Sequence, residues 1–366
     1  MSVSAHSRTK QRNNSARMLA PEQPPAPVLA RLLHVASVLV SLGLAVLPFW
    51  TRPKVVEASA PQDRFSASRA MPAVQASAAE PHPISSVAHT AVADYLVGQL
   101  RELGLAVEVQ DDTGVLYDTD IDPSQVSAAH LHNIIARLPG TDSTGTVMLY
   151  GHYGSVPTSP NAADGAAGVA AVLETVRALR AGPPLRNDVL VVLADGDETP
   201  ALGPHLFRGH PAAKDVTVGI ALEGLSNRGV VALAYAGQGT PNVQGSYTSA
   251  ANGTWLRQAL SVMPHRFTTL ALNDMQIASP ELSIATKDAA AGGIGSLILG
   301  GGDAYHTVRD SPANLDVANL QAHGDNTLAL PGISATPPWI RSRASASWWP
   351  LRCYRIRCSA IPAPGR

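Results

Sequence analysis

TVMLYGHYGSVPTSPNAADGAAG, residues Thr146 to Gly168, is the stretch on which the fold turns. It opens with a short apolar run, Val147 to Tyr150, bounded closely enough to be a buried strand, and that strand delivers His152 at its end. A loop with Pro157 and Pro160 follows. Asp164 then stands directly before Gly165 and an Ala/Val/Leu segment, Gly168 to Arg180, with the pattern of a helix. An Asp in that place serves as a helix N-cap, and the same carboxylate can also be a ligand. Open α/β sheets collect ligands at the carboxyl ends of their strands, so a His and an Asp meeting there point to a metal or catalytic site.

The same pattern extends on both sides. Val87 to Leu103 has helical spacing and stops at Gly104, and Leu105 to Gln110 alternates like a strand. His132 to Leu138, closed by Pro139-Gly140, Asp188 to Leu193, Val218 to Leu222 and Ile294 to Leu299 read as further strands, with a helix around Trp255 to Val262. Strands alternating with helices imply a mostly parallel, mixed sheet covered on both faces, hence a three-layer α/β/α sandwich. Acidic or imidazole residues follow three of these runs: Asp197 and Glu198, Glu223, and His306. With His152 and Asp164 they make a set of nitrogen and oxygen donors that suits zinc. One carboxylate shared by two ions about 3.5 to 4 Å apart would hold a pair able to activate water for hydrolysis.

Composition narrows the partners. A formal net charge of -1 and the lack of a basic stripe leave no electrostatic footprint for nucleic acid. The two cysteines, Cys353 and Cys358, both fall in the terminal stretch, so the core has neither a disulfide framework nor a thiolate zinc site. His82, His89, His130 and His132 show no ligand spacing and read as packing or surface residues. Gly300-Gly301-Gly302 lacks the Lys-Ser/Thr of a nucleotide loop.

Residues 1–27 are polar and carry no apolar period, the expectation being a disordered tail. Val28 to Trp50 is almost wholly apolar and about the length of a membrane-spanning helix, with basic residues denser before it than after. The expectation is a single-pass anchor with the remainder outside the cytoplasm. The competing reading is a cleaved signal, with Ala58-Ser59-Ala60 as the cleavage site and a secreted product. Residues 51–80 read as an Ala/Ser/Pro linker and 81–330 as the folded domain. Residues 331–366, rich in Arg, Trp and Pro, read as a disordered tail foreign to that domain, in the manner of an out-of-frame end.

Six segments carry a family resemblance: PHPISS (Pro81 to Ser86), NIIARLPGT (Asn133 to Thr141), GHYGSVPTSPNAADGAAGVA (Gly151 to Ala170), LADGDE (Leu193 to Glu198), ALEG (Ala221 to Gly224) and AYHTVRDSPANLD (Ala304 to Asp316). In this order they resemble the co-catalytic zinc aminopeptidases of the peptidase family M28 type, in particular the membrane-anchored branch that includes the vacuolar membrane proteases. The resemblance implies a peptide substrate and two zinc ions, one held by His152, Asp164 and Glu223, the other by Asp164, Glu198 and His306, with Asp164 bridging. It makes Asp197 the general base. Three departures accompany it. The family's base is a Glu where this chain has Asp197, an Asp two residues after the first His is here Gly154, and an Asn-Asp-Thr-Asp-Phe-like segment is replaced by Ser279-Pro280-Glu281-Leu282. A shorter base shortens its reach to water. Loss of the carboxylate behind His152 loosens that imidazole, so the alternative expectation is a catalytically impaired relative serving as a binding or scaffold protein.

Overall fold

The computed structural model describes residues 28–50, 52–117, 126–198, 201–224, 226–236, 258–267, 293–299 and 304–331. The expectations for 1–27, for Ser279 to Leu282, for Gly300 to Gly302 and for the tail beyond Pro331 lie outside them. Two units are distinguished, Met1–Trp50 and Thr51–Arg366. In the first, Val28–Trp50 forms helix α1, and Leu29, Leu32, Leu33 and Val38 on it are all more than 60% exposed. The expected membrane span is not carried by the structure: among the described residues no helix is long and apolar enough to cross a membrane. Arg31 and His34 interrupt the apolar run of α1.

The second unit is built around Thr146–His152, strand β3, every residue of which is buried. The remaining strands are β1 (Ala106–Tyr117), β2 (Val126–Leu138), β4 (Asp188–Ala194), β5 (Val216–Gly224), β6 (Val230–Ala236) and β7 (Gly293–Leu299). They form one sheet in the order β1-β2-β4-β3-β5-β7-β6. The four inner strands, β4, β3, β5 and β7, run parallel, and antiparallel strands close both edges. All four parallel strands therefore point their carboxyl ends to one side, which is what gathers the site.

Alternation along β3 sends its side chains into two cores. Val147 and Leu149 pack with Val169, Val172 and Val176 of helix α4 (Ala167–Ala181) and with Leu96 and Leu100 of α3 (Val87–Glu102). Met148 and Tyr150 pack on the other face with Phe207 of α5 (Leu202–Arg208). Each fully buried Leu or Val on these faces contributes about 1.5–3 kcal/mol, so neither face can be left open. The result is the expected α/β/α sandwich.

Where the sequence suggested a linker, at 51–80, the structure has a packed element. Helix α2 (Ala67–Ser77) starts at Ser66, whose hydroxyl accepts the Arg69 N–H at 3.2 Å, and buries Ala67, Ala70 and Val74. Phe65 lies so close to Gly324 of helix α6 (Val317–Ala329) that any side chain at 324 would overlap its ring. Alanine reads as spacer in a sequence, yet here it lets helices approach closely. The edge strands also run beyond their expected bounds at Gln110 and His132: β1 and β2 pair for twelve residues, from Ala106↔Arg137 to Tyr117↔Val126.

Candidate metal centre

The geometry begins at Asp164, which sits in a turn, Ala162–Ala166, between β3 and α4. It is not the N-cap of α4; that position is Ala166, which has no side-chain cap bond, and Asp164 has non-helical φ/ψ of -87° and 83°. Asp310 shapes the turn instead. Its Oδ1 accepts the Ala163 N–H at 2.7 Å, its Oδ2 accepts the Asp164 N–H at 3.1 Å, and Asn227 Nδ2 donates to Oδ1 at 2.7 Å. Gly165 follows with φ of 107°, and a Cβ there would lie 2.9 Å from His152 Cε1. Only glycine meets both demands, the left-handed backbone and the close pass over the imidazole. Gly168 serves the same fit, since a Cβ on it would come within 2.7 Å of the Leu222 carbonyl oxygen of β5.

With its backbone fixed, the Asp164 carboxylate presents its two oxygens to two different imidazoles. Oδ1 is 3.4 Å from His152 Nε2 at the end of β3, and that nitrogen is also 3.0 Å from Glu223 Oε1 at the end of β5. Oδ2 is 3.1 Å from His306 Nε2, which is 3.0 Å from Glu198 Oε2 just beyond β4. All five residues expected as ligands thus meet at one edge of the sheet. Asp197 lies beside the first group, its ligand atom within 4.8 Å of those of His152 and Glu223, and Tyr150 donates its hydroxyl to Asp197 Oδ1.

Charge in the cluster is unbalanced. Burial, reinforced by the neighbouring Glu223 carboxylate against the pull of His152, pushes the Asp164 carboxyl up to about 7. Burial and the Asp164 charge push Glu198 up to about 8. Burial acts the same way on Glu223, but the imidazole of His152 and the hydrogen bonds it receives hold that carboxyl below its ordinary value. Burial lowers His152, yet Glu223, Asp164 and Asp197 together raise it well above an ordinary imidazole. Carboxylates that take up protons for want of positive charge are the setting a divalent cation reverses. The imidazole directions agree: His306 Nε2 is buried within 3.1 Å of two carboxylates and yet hydrogen-bonds to neither. Nitrogen and oxygen donors thus converge on one small space. The donor set fits zinc.

One partner is missing. Among the described residues His152 Nδ1 is buried with no hydrogen bond, and the position two residues on, where the family resemblance calls for an Asp, is Gly154.

The sequence model of peptidase family M28 matches residues 133–330, more than half of the chain. The chain belongs to peptidase family M28. The matched span holds His152, Asp164, Asp197, Glu198, Glu223, His306 and Asp310. A vacuolar membrane protease of Yarrowia lipolytica is 27% identical over 216 residues, 54% of this chain and 21% of that protein. The chain therefore spans about a fifth of that relative's length. Among solved structures, glutaminyl cyclase of Porphyromonas gingivalis superposes with a TM-score of 0.52 at 24% identity, covering 73% of this chain and 98% of that one. A leucine aminopeptidase precursor of Bacteroides thetaiotaomicron superposes with a TM-score of 0.55 at 19% identity, covering 74% and 97%. These likenesses are of the M28 fold.

Sequence reasoning missed three residues of this M28 site. Asp310 stands four residues after His306 in a segment already singled out, but nothing in its spacing said that it would bind another loop's backbone. Asn161, whose amide reaches Asp164 Oδ2 at 3.3 Å and also Glu198, lay unnoticed in the Pro-rich loop. Tyr150 read only as the last apolar residue of a strand.

Proposed function

We propose that this chain is a zinc aminopeptidase that hydrolyses the N-terminal bond of peptides with two ions bridged by Asp164. The observation that carries the reading is the Asp164 carboxylate, whose two oxygens face separate His–carboxylate pairs. His152 and Glu223 would hold one ion, His306 and Glu198 the other. Zinc bound there would supply Lewis acidity toward the scissile carbonyl and acidify a water. The chain's own residues do the rest. Asp197, held by the Tyr150 hydroxyl, takes a proton from the attacking water at its carboxylate and returns it to the leaving amine. The sheet edge excludes bulk water from the buried side of the cluster, which strengthens each charge interaction.

The test is elemental zinc content of the purified chain together with turnover of a panel of aminoacyl amides. Two zinc ions at the Asp164 centre, counted as the difference in zinc per chain between wild type and Asp164→Ala, and release of free amino acid are expected. One ion at that centre would refute the two-ion reading, and cyclisation of N-terminal glutaminyl peptides without release of an amino acid would refute it in favour of chemistry like that named for the cyclase neighbour.

Gly154 and the orphaned His152 Nδ1 favour one second reading, an impaired relative that binds peptide or metal without turnover. Zinc retained at full occupancy with no hydrolysis across the panel is its signature. We also propose that the exposed Leu and Val side chains of α1 associate with lipid, following the membrane protease to which the chain is similar. Co-sedimentation of the full chain with vesicles, lost when α1 is deleted, is the expected result.

A further inference from the structure

A second cluster of donors lies on the ribbon of β1 and β2. Register places Asp111 directly opposite His132, and His130, two residues earlier on β2, shares that face. His130 Nε2 is 2.7 Å from Asp111 Oδ1, and His132 Nε2 is 3.7 Å from the same oxygen. The two imidazoles stand edge to face, centroids 5.0 Å apart and planes at 90°. The donor atoms of all three residues lie within 4.8 Å of one another. Donors around a tetrahedral zinc, each about 2.0–2.2 Å from the ion, are themselves about 3.2–3.6 Å apart, so the observed distances straddle what ligation needs.

What separates this cluster from an ordinary surface ion pair is Asp195. That carboxylate is 1% exposed, its Oδ2 accepts the His132 backbone N–H at 2.9 Å, and the same oxygen lies 3.8 Å from His132 Nδ1. Among the described residues its Oδ1 is buried without a hydrogen bond, although His89 Nε2 lies 3.0 Å away. A carboxylate standing behind the far nitrogen of an imidazole orients a ligating His and raises its basicity. A small rotation of the His132 ring would close the 3.8 Å gap.

We propose that Asp111, His130 and His132 bind a borderline transition-metal dication of the zinc, copper(II) or nickel(II) kind, at a site separate from the Asp164 centre. Two imidazoles and one carboxylate select such ions over magnesium and calcium, which take oxygen donors. The ligands come from paired strands rather than a loop, so little ordering is needed on binding. Bound metal would fasten β1 to β2 and, through Asp195, brace the turn that carries Asp197 and Glu198. The proposal goes beyond the peptidase reading and does not depend on it.

The test strips the full chain of metal with a chelator, reloads it with zinc, desalts it and counts zinc per chain, comparing wild type with the double variant Asp111→Asn/His130→Asn. Both side chains are 58% exposed, so neither substitution removes a core contact. The expected result is one zinc fewer in the variant, with circular dichroism unchanged and with hydrolysis retained if wild type has it. Excess magnesium should not displace that ion. His130→Asn alone repeats the count should the double variant lose its fold. Failure of the Asp164 centre to hold zinc would lower both totals and leave the difference of one intact. Equal zinc in wild type and variant, or displacement by magnesium, would overturn the proposal and leave only an exposed His–Asp contact.

Discussion

Restoring a carboxylate at position 154 should tighten metal binding at the Asp164 centre. Gly154 has no left-handed backbone to protect, and a Cβ built on it meets nothing closer than Gly196 N at 3.8 Å and His89 Cε1 at 3.9 Å, ordinary contact distances. The Cβ of Gly154→Asp is therefore accommodated without moving the backbone. The family resemblance places a carboxylate at this position, two residues after His152, whose Nδ1 has no hydrogen-bond partner among the described residues. Hydrogen bonds to the outer nitrogen of a ligating imidazole are commonly worth 10- to 100-fold in metal affinity or activity, about 1.4–2.7 kcal/mol. Competition against a chelator of known affinity reads the first quantity, and kcat/KM on an aminoacyl amide the second. Gly154→Asn supplies an acceptor without the charge, and its gain should fall between those of Gly and Asp. A variant that folds, keeps its melting temperature and changes affinity by less than about twofold would refute the reasoning. The orphaned nitrogen would then not limit the site.

Asp197→Glu should raise the hydrolysis rate with zinc content unchanged, because it lengthens the reach of the base without touching a ligand; an equal or lower rate with metal retained would show that reach is not the limitation. Asp310→Ala should cost at least about 3 kcal/mol in a denaturant melt, since it strands the buried N–H groups of Ala163 and Asp164 and the Asn227 amide together. His323, fully buried in α6, is pushed by burial from 6.5 down to about 4, only partly offset by Glu223. Between about pH 6.5 and about pH 4 the unfolded chain binds a proton there that the folded chain refuses, so stability falls as the pH is lowered through that window, by about 3 kcal/mol at its end. His323→Gln should flatten this acid limb, and an unchanged limb would locate the acid sensitivity elsewhere.

How far the molecule was legible varies residue by residue. His152, Glu198 and Glu223 were readable because apolar runs flag parallel strands, and parallel strands end on one side. Asp164 was found for a partly mistaken reason: the sequence suggested a cap on α4, and the structure has a non-helical turn tied to Asp310. Helix α2 escaped notice because its buried residues are mostly alanine, with Pro72 inside the helix, a composition shared with linkers. The cluster of Asp111, His130 and His132 was invisible for another reason. Cross-strand register is a relation between distant residues, and the polar alternation of the ribbon does not disclose it.

The bonds from Asp310 to the turn of Asp164 bear on how fast an ion can load. Asp310 lies four residues from His306, so one peptide segment both supplies a donor and locks the loop that supplies another. The entropy of ordering these two loops is lost when the chain folds, before any ion arrives. Uptake would then be governed by how quickly the ion sheds its water rather than by loop closure. Loosening Asp310 should convert a rapid, single-exponential uptake into a slower one paced by the protein.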